Sequence, residues 1–170
     1  MTNAVPEFED VLRRYMDALQ RLSWSYARSA AGAEDLFQEI TIALWRALPR
    51  FRQDCSERTY VYRVAHNTAV SFVTSAGRRA AHEQSRTPPV EPAVADNPEG
   101  DAIRNQRRQR LQAAVQELPV NDRQVVLLYL EDLSAAEIEA VTGFSAGNVA
   151  TRLTRARQRL VARLRAEGNP

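Results

Sequence analysis

Two clusters of side chains in this 170-residue chain have the types and spacing for nucleic-acid chemistry. Near the C-terminus, Asn148, Thr151, Arg152, Thr154, Arg155, Gln158 and Arg159 recur at helical intervals, on the side opposite Val149, Leu153, Ala156 and Leu160. Small polar and cationic groups on one helix face enter a major groove without steric conflict, and arginine bonds either phosphate oxygens or guanine edges. From Ala150 to Ala166 there are six arginines and no acid, so this stripe is basic although the whole chain carries only +2, and it suits a polyanion. The other reading is an ordinary helical hairpin with a solvated arginine face. In the first half, Arg58, Tyr60, Tyr62, Arg63, His66 and Asn67 mix rings with cations, a combination that stacks unpaired bases and grips a single-strand backbone. Tyr60 and Tyr62 are equally compatible with partial burial. A third cluster is acidic: Asp35 and Glu39, with Gln38 between them, share a helix face where their repulsion stabilises nothing unless a basic partner arrives. It is either a docking face or a solvated one, and Ile42, next along that side, either extends the contact or belongs to the core.

No constellation for catalysis accompanies these clusters. Cys55 is the single cysteine and there are two histidines, far apart in sequence, which excludes an internal disulfide, a thiolate zinc site and a histidine metal pair. There is no glycine-rich phosphate loop and no nucleophile beside a base, Cys55 and His66 being isolated groups. No enzyme activity, metal or cofactor is therefore expected. No apolar run approaches the ~20 residues needed to span a bilayer, and Glu7, Glu9 and Asp10 are unlike the start of a signal peptide. The expectation is a cytoplasmic protein without membrane insertion.

The elements that position these residues are helical, because apolar residues recur with helical period and no stretch alternates like a strand. The expected fold class is all-α. A first helix carries Phe8, Val11, Leu12, Tyr15, Leu19 and Leu22 on one side as a core face. A second runs from about Ala33 to Leu48, with Leu36, Phe37, Ile40, Leu44, Trp45 and Leu48 inward and Glu34, Asp35, Gln38 and Glu39 outward, and ends at Pro49. A third begins after Ser56 as N-cap and reaches about Thr74. Residues 81–100 then change character to four prolines, four acids and few large apolar side chains, the composition of a flexible acidic linker. Two small helical domains follow from this, 1–80 and 101–170. In the second, helices are expected from Ala102 to Leu118 and from Asp122 to Leu130 behind an Asn121/Gln124 cap. Ser134 with Glu137 forms a cleaner capping box before a short helix to Val141; Thr142, Gly143 and Phe144 make a turn, and Ser145 caps a long last helix. With Ile138 and Val141 facing Val149, this is a helix-turn-helix.

Four segments in order carry a resemblance to the extracytoplasmic-function (ECF) group of the σ70 family, which covers the chain from about Phe8 to Arg165. Ala33 to Glu39, continued through Trp45-Arg46-Ala47-Leu48, is similar to region 2.2; Phe51-Arg52 and Arg58 to Asn67 resemble regions 2.3 and 2.4; Glu117-Leu118-Pro119 with Arg123 to Leu128, and Leu133-Ser134 to Leu160, resemble the two parts of region 4. The resemblance implies a sigma2-like helical bundle and a sigma4-like helix-turn-helix domain. It implies that Asp35, Gln38, Glu39 and Ile42 face core RNA polymerase, and that the loop from Arg52 to Ser56 with Arg58, Tyr60, Tyr62, Arg63, His66 and Asn67 captures the −10 promoter DNA. It also implies that Asn148, Thr151, Arg152, Thr154, Arg155, Gln158 and Arg159 read the −35 duplex. An anti-sigma factor is the further partner that the family suggests. Ala150 stands where a lysine is frequent, which removes a phosphate contact. The alternative is a stand-alone helix-turn-helix transcriptional regulator.

Overall fold

The computed structural model describes residues 7–82 and 102–167, and the remainder of the expected linker, 83–100, lies outside the described residues. Every regular element among the described residues is helical. The chain divides into two compact units, Met1–Val90 and Glu91–Pro170.

The first unit is built from α1 (Phe8–Tyr26), α2 (Ala30–Ala47), a 3-10 turn (Leu48–Arg50) and α3 (Glu57–His82). Glu9 and Asp10 sit in the first turn of α1, where carboxylates favour the positive end of the helix dipole. Its stripe buries Val11, Leu19, Leu22 and Tyr26, with Phe8, Leu12 and Tyr15 half-buried. α2 starts earlier than Ala33 because Ser29 caps it, its Oγ accepting from the Gly32 amide at 3.1 Å. α2 packs on both α1 and α3, and the row Ala33, Leu36, Ile40 and Leu44 fills that seam. α3 opens on Ser56, whose Oγ accepts from the Thr59 amide at 3.1 Å, and it runs on past Thr74 to His82. Arg14 of α1 pairs with Glu57 at the start of α3.

The second unit contains α4 (Ala102–Gln116), α5 (Val120–Leu130), α6 (Ala135–Thr142) and α7 (Ala146–Glu167). The Asn121/Gln124 cap is corrected: α5 starts at Val120 with Pro119 at the N-cap position, Asn121 lies inside the first turn, and Gln124 is buried. Buried Arg123 instead finishes α4, its Nη2 donating to the Leu118 carbonyl at 3.0 Å and to that of Gln116. Such charge-assisted bonds satisfy carbonyls that a helix end leaves open. The Ser134/Glu137 capping box forms on both sides, and Gly143 closes α6 at φ 74, a left-handed conformation that favours glycine. α7 packs against α4, α5 and α6, with Leu118, Val126 and Ala156 in one cluster backed by Leu153 and Leu160. No helix among the described residues is long and apolar enough to cross a membrane.

Candidate functional site

On α2, Asp35, Gln38, Glu39 and Ile42 are all exposed and share the side away from the Leu36–Ile40–Leu44 seam. Trp45, expected inward, is corrected to this outer face: it is 61% exposed, beside Ile42 at 47%. At about 100° per residue, Trp45 falls nearly opposite the Leu36–Ile40 row and next to Gln38 and Ile42. The outer side of α2 thus joins two carboxylates to two large apolar side chains, a combination the sequence reading divided between surface and core.

α3 sorts the six aromatic and basic residues into two layers. Tyr62 and His66, one turn apart, are buried at 3% and 1% exposure, so neither presents its ring to a ligand and their place on a DNA-facing surface is corrected. The Tyr26 hydroxyl and His66 Nδ1 are 3.0 Å apart, and the Tyr15 ring meets Tyr62 edge-on at 6.2 Å. Burial pushes the His66 imidazole down to about 3, so it is neutral near pH 7. The outer layer consists of half-buried Arg58, Tyr60 and Arg63 and exposed Asn67. Tyr60 donates to the Ala47 carbonyl at 2.9 Å and lies against buried Phe51 with ring centroids 4.5 Å apart. The guanidinium of Arg63 lies 5.4 Å from the Tyr60 ring and that of Arg58 lies 5.9 Å from the Tyr62 ring. Arg63 is therefore already stacked on the half-buried Tyr60 ring, an arrangement that suits a nucleotide base and backbone. Beside them, Arg52, Gln53 and Asp54 are exposed, and Gln53 is held at φ 60, a left-handed conformation that costs a non-glycine residue and marks a loop fixed by its surroundings. Cys55 is half-buried, and its thiol is pushed up by desolvation.

In the helix-turn-helix, Ile138, Val141 and Val149 are buried between α6 and α7. Asn148, Thr151, Thr154, Arg155, Gln158 and Arg159 are exposed along α7. The hydroxyls of Thr151 and Thr154 donate to the Gly147 and Ala150 carbonyls, each at 2.9 Å. Arg152 differs from the rest of the stripe. Its Nη1 lies 2.7 Å from Asp122 Oδ1, its guanidinium covers the Phe144 ring at 4.5 Å, and its buried Nε has no hydrogen-bond partner among the described residues. Arg159 reaches the other oxygen of the same carboxylate at 3.3 Å. Farther along, Arg163 pairs with Glu117 at 2.8 Å and holds that carboxyl below its usual range. Asp122 carried no signal in the sequence beyond a helix start, because its partners are 30 and 37 residues away. Among the described residues no group of histidine, cysteine and carboxylate side chains is arranged to hold a metal.

Residues 11–79 match the family model of Sigma-70 region 2, and residues 108–160 match that of Sigma-70, region 4. The chain is 31% identical over 158 residues to the ECF RNA polymerase sigma factor SigE of Mycolicibacterium smegmatis, covering 92% of this chain and 61% of that one. It is 30% identical over 159 residues to the ECF RNA polymerase sigma-E factor of Escherichia coli K12, covering 89% of this chain and 83% of that one. The same fold is found in the sigma factor RpoE of Bartonella quintana, solved in complex with the anti-sigma factor NepR, at a TM-score of 0.74 and 22% identity over 93% of this chain and 96% of that one. CnrH, solved with the cytosolic domain of CnrY, shares it at a TM-score of 0.67 and 22% identity over 94% of this chain and 88% of that one. Both regions occur in family order and curated ECF relatives span most of the chain, so this protein belongs to the ECF group of the sigma-70 family of sigma factors.

Proposed function

We propose that the protein is an alternative sigma factor that binds core RNA polymerase and directs it to a particular set of promoters. The observation that carries this reading is the pairing, in one chain, of an exposed acidic and apolar face on α2 with an exposed arginine and amide face on a helix-turn-helix. Asp35, Gln38, Glu39 and Ile42, extended by Trp45, dock on the polymerase. The loop from Arg52 to Ser56 with Arg58, Tyr60, Arg63 and Asn67 holds the −10 strand, while Tyr62 and His66 brace it from the core. Asn148, Thr151, Thr154, Arg155 and Gln158 face the −35 duplex, flanked by Arg152 and Arg159. Residues 1–80 and 101–170 act as the two domains, and the acidic segment between them spans the distance from one promoter element to the other. The protein supplies binding and positioning, without catalytic chemistry or a cofactor of its own, and works in the cytoplasm where the polymerase is. The NepR complex of the Bartonella quintana neighbour supports an anti-sigma factor as a further partner.

Run-off transcription of fragmented host genomic DNA by purified core polymerase, with and without the protein, tests the reading. New transcript starts that share two spaced upstream elements are expected. No new starts, with a control sigma factor active in parallel, together with sequence-specific duplex binding in the absence of polymerase, would replace it by the stand-alone regulator.

A further inference from the structure

Asp122 lies in the first turn of α5 with its side chain 8% exposed, and its two carboxylate oxygens are divided between Arg152 at 2.7 Å and Arg159 at 3.3 Å. These arginines stand two turns apart on the α7 face proposed to meet duplex DNA, so one internal negative charge serves two of the cations aimed at the phosphates. Arg152 is bound further by its stacking on Phe144, whereas Arg159 remains 54% exposed and, among the described residues, is held by the carboxylate alone. Arg155, between them on the same face, is exposed and makes no ion pair among the described residues. A guanidinium already committed to a carboxylate displaces no counterion when a duplex arrives, and counterion displacement is the source of sequence-independent affinity.

We infer that Asp122 is a positioning residue that withholds Arg159 from the DNA backbone, so that α7 grips DNA of any sequence less strongly than its arginines would otherwise allow and leaves Arg155, Asn148 and Thr151 to decide the sequence. The inference rests on the reading of α7 as the duplex-binding face. It gives the arginine stripe a selectivity that its composition alone does not.

The test is binding of the full chain to a short duplex of scrambled sequence, followed across a range of salt concentrations. Asp122→Asn is expected to bind several-fold more tightly at low salt, with the slope of log K against log salt steeper by about 0.9, the increment for one added phosphate contact. Adding Arg159→Gln to that variant is expected to restore the parent slope, and Arg159→Gln alone to leave the slope where it was. An unchanged slope in Asp122→Asn overturns the inference, as does a steeper slope that persists without Arg159, which would reflect net charge or the release of Arg152 instead. Should Asp122→Asn fail to fold, Arg159→Gln decides: a slope shallower by about 0.9 would mean that Arg159 already contacts phosphate. Absence of any salt-dependent duplex binding by the parent chain would remove the DNA-face reading itself, a result distinct from an unchanged slope.

Discussion

At the scale of single residues, burial decides what a polar ring does. His66, sealed beside Tyr26 and Tyr62, takes a proton in the folded state only near pH 3, whereas the unfolded chain takes it at about 6.5. Between these values the unfolded state binds more protons, so stability is fully present above pH 6.5 and falls as pH drops through the window, by about 1.4 kcal/mol per pH unit. Both tryptophans, Trp24 and Trp45, lie in the first unit, so their fluorescence reports its unfolding. Denaturation at about pH 7.5 and about pH 5.5 should show a marked loss of stability in the parent chain and a smaller one in His66→Gln, which removes the titrating group. Equal losses in both would show that His66 does not set the pH response. The same burial decides between the two readings that the sequence left open for Tyr62, and places in the core a His66 that the sequence read only as a surface group. Tyrosine and histidine occupy surfaces and interiors alike, and only the neighbouring helices choose.

At the scale of elements, the signals written in adjacent residues form as they read. Ser134 and Glu137 make their reciprocal cap, and Gly143 takes the left-handed turn. A Cβ at Gly143 meets nothing within 4 Å, so Gly143→Ala should cost only its backbone strain, about 1–2 kcal/mol. Ser134→Ala should cost about 1 kcal/mol through the lost cap. Thermal melts followed by circular dichroism check both, and a much larger loss at Gly143 would indicate a steric clash that the structure does not contain. On α2 the expectation separates stability from docking. Replacing Trp45, 61% exposed, with Gln should change stability by less than about 0.5 kcal/mol and weaken polymerase binding by at least about tenfold, as loss of an exposed aromatic anchor does. Unchanged affinity for core polymerase would exclude Trp45 from the interface. The reading of Trp45 as core came from its place beside Leu44 and Leu48, where an apolar run is wider than the stripe that its neighbours can cover.

At the scale of the whole molecule, each unit carries its own buried residues and its own exposed face, so the two activities should separate by mutation. Asp35→Lys with Glu39→Lys should reduce core binding by more than about tenfold, since like charges would then meet a basic partner, while salt-dependent duplex binding remains. Arg155→Ala should keep core binding and lose most run-off transcription at the protein's own promoters, a cost of about 1–3 kcal/mol if the arginine reads a base. Gel filtration with core polymerase reads the first activity and salt-dependent duplex binding by the chain alone reads the second, and loss of both readouts in either variant would contradict the division.

The sequence by itself determined the helices, the helix-turn-helix with its cap and its glycine, the outward acidic row of α2 and the arginine stripe of α7, because each is set by residues within a few positions of one another. Tertiary structure alone decided that Trp45 faces out, that Tyr62 and His66 face in, and that one aspartate holds two arginines of α7. Helical period fixes which side chains share a face, but which face meets a neighbour depends on the packing of α1 and α3 around α2. The carboxylate of Asp122 reaches Arg152 and Arg159 only because α5 is packed against α7, and that proximity has no counterpart in the local order of residues.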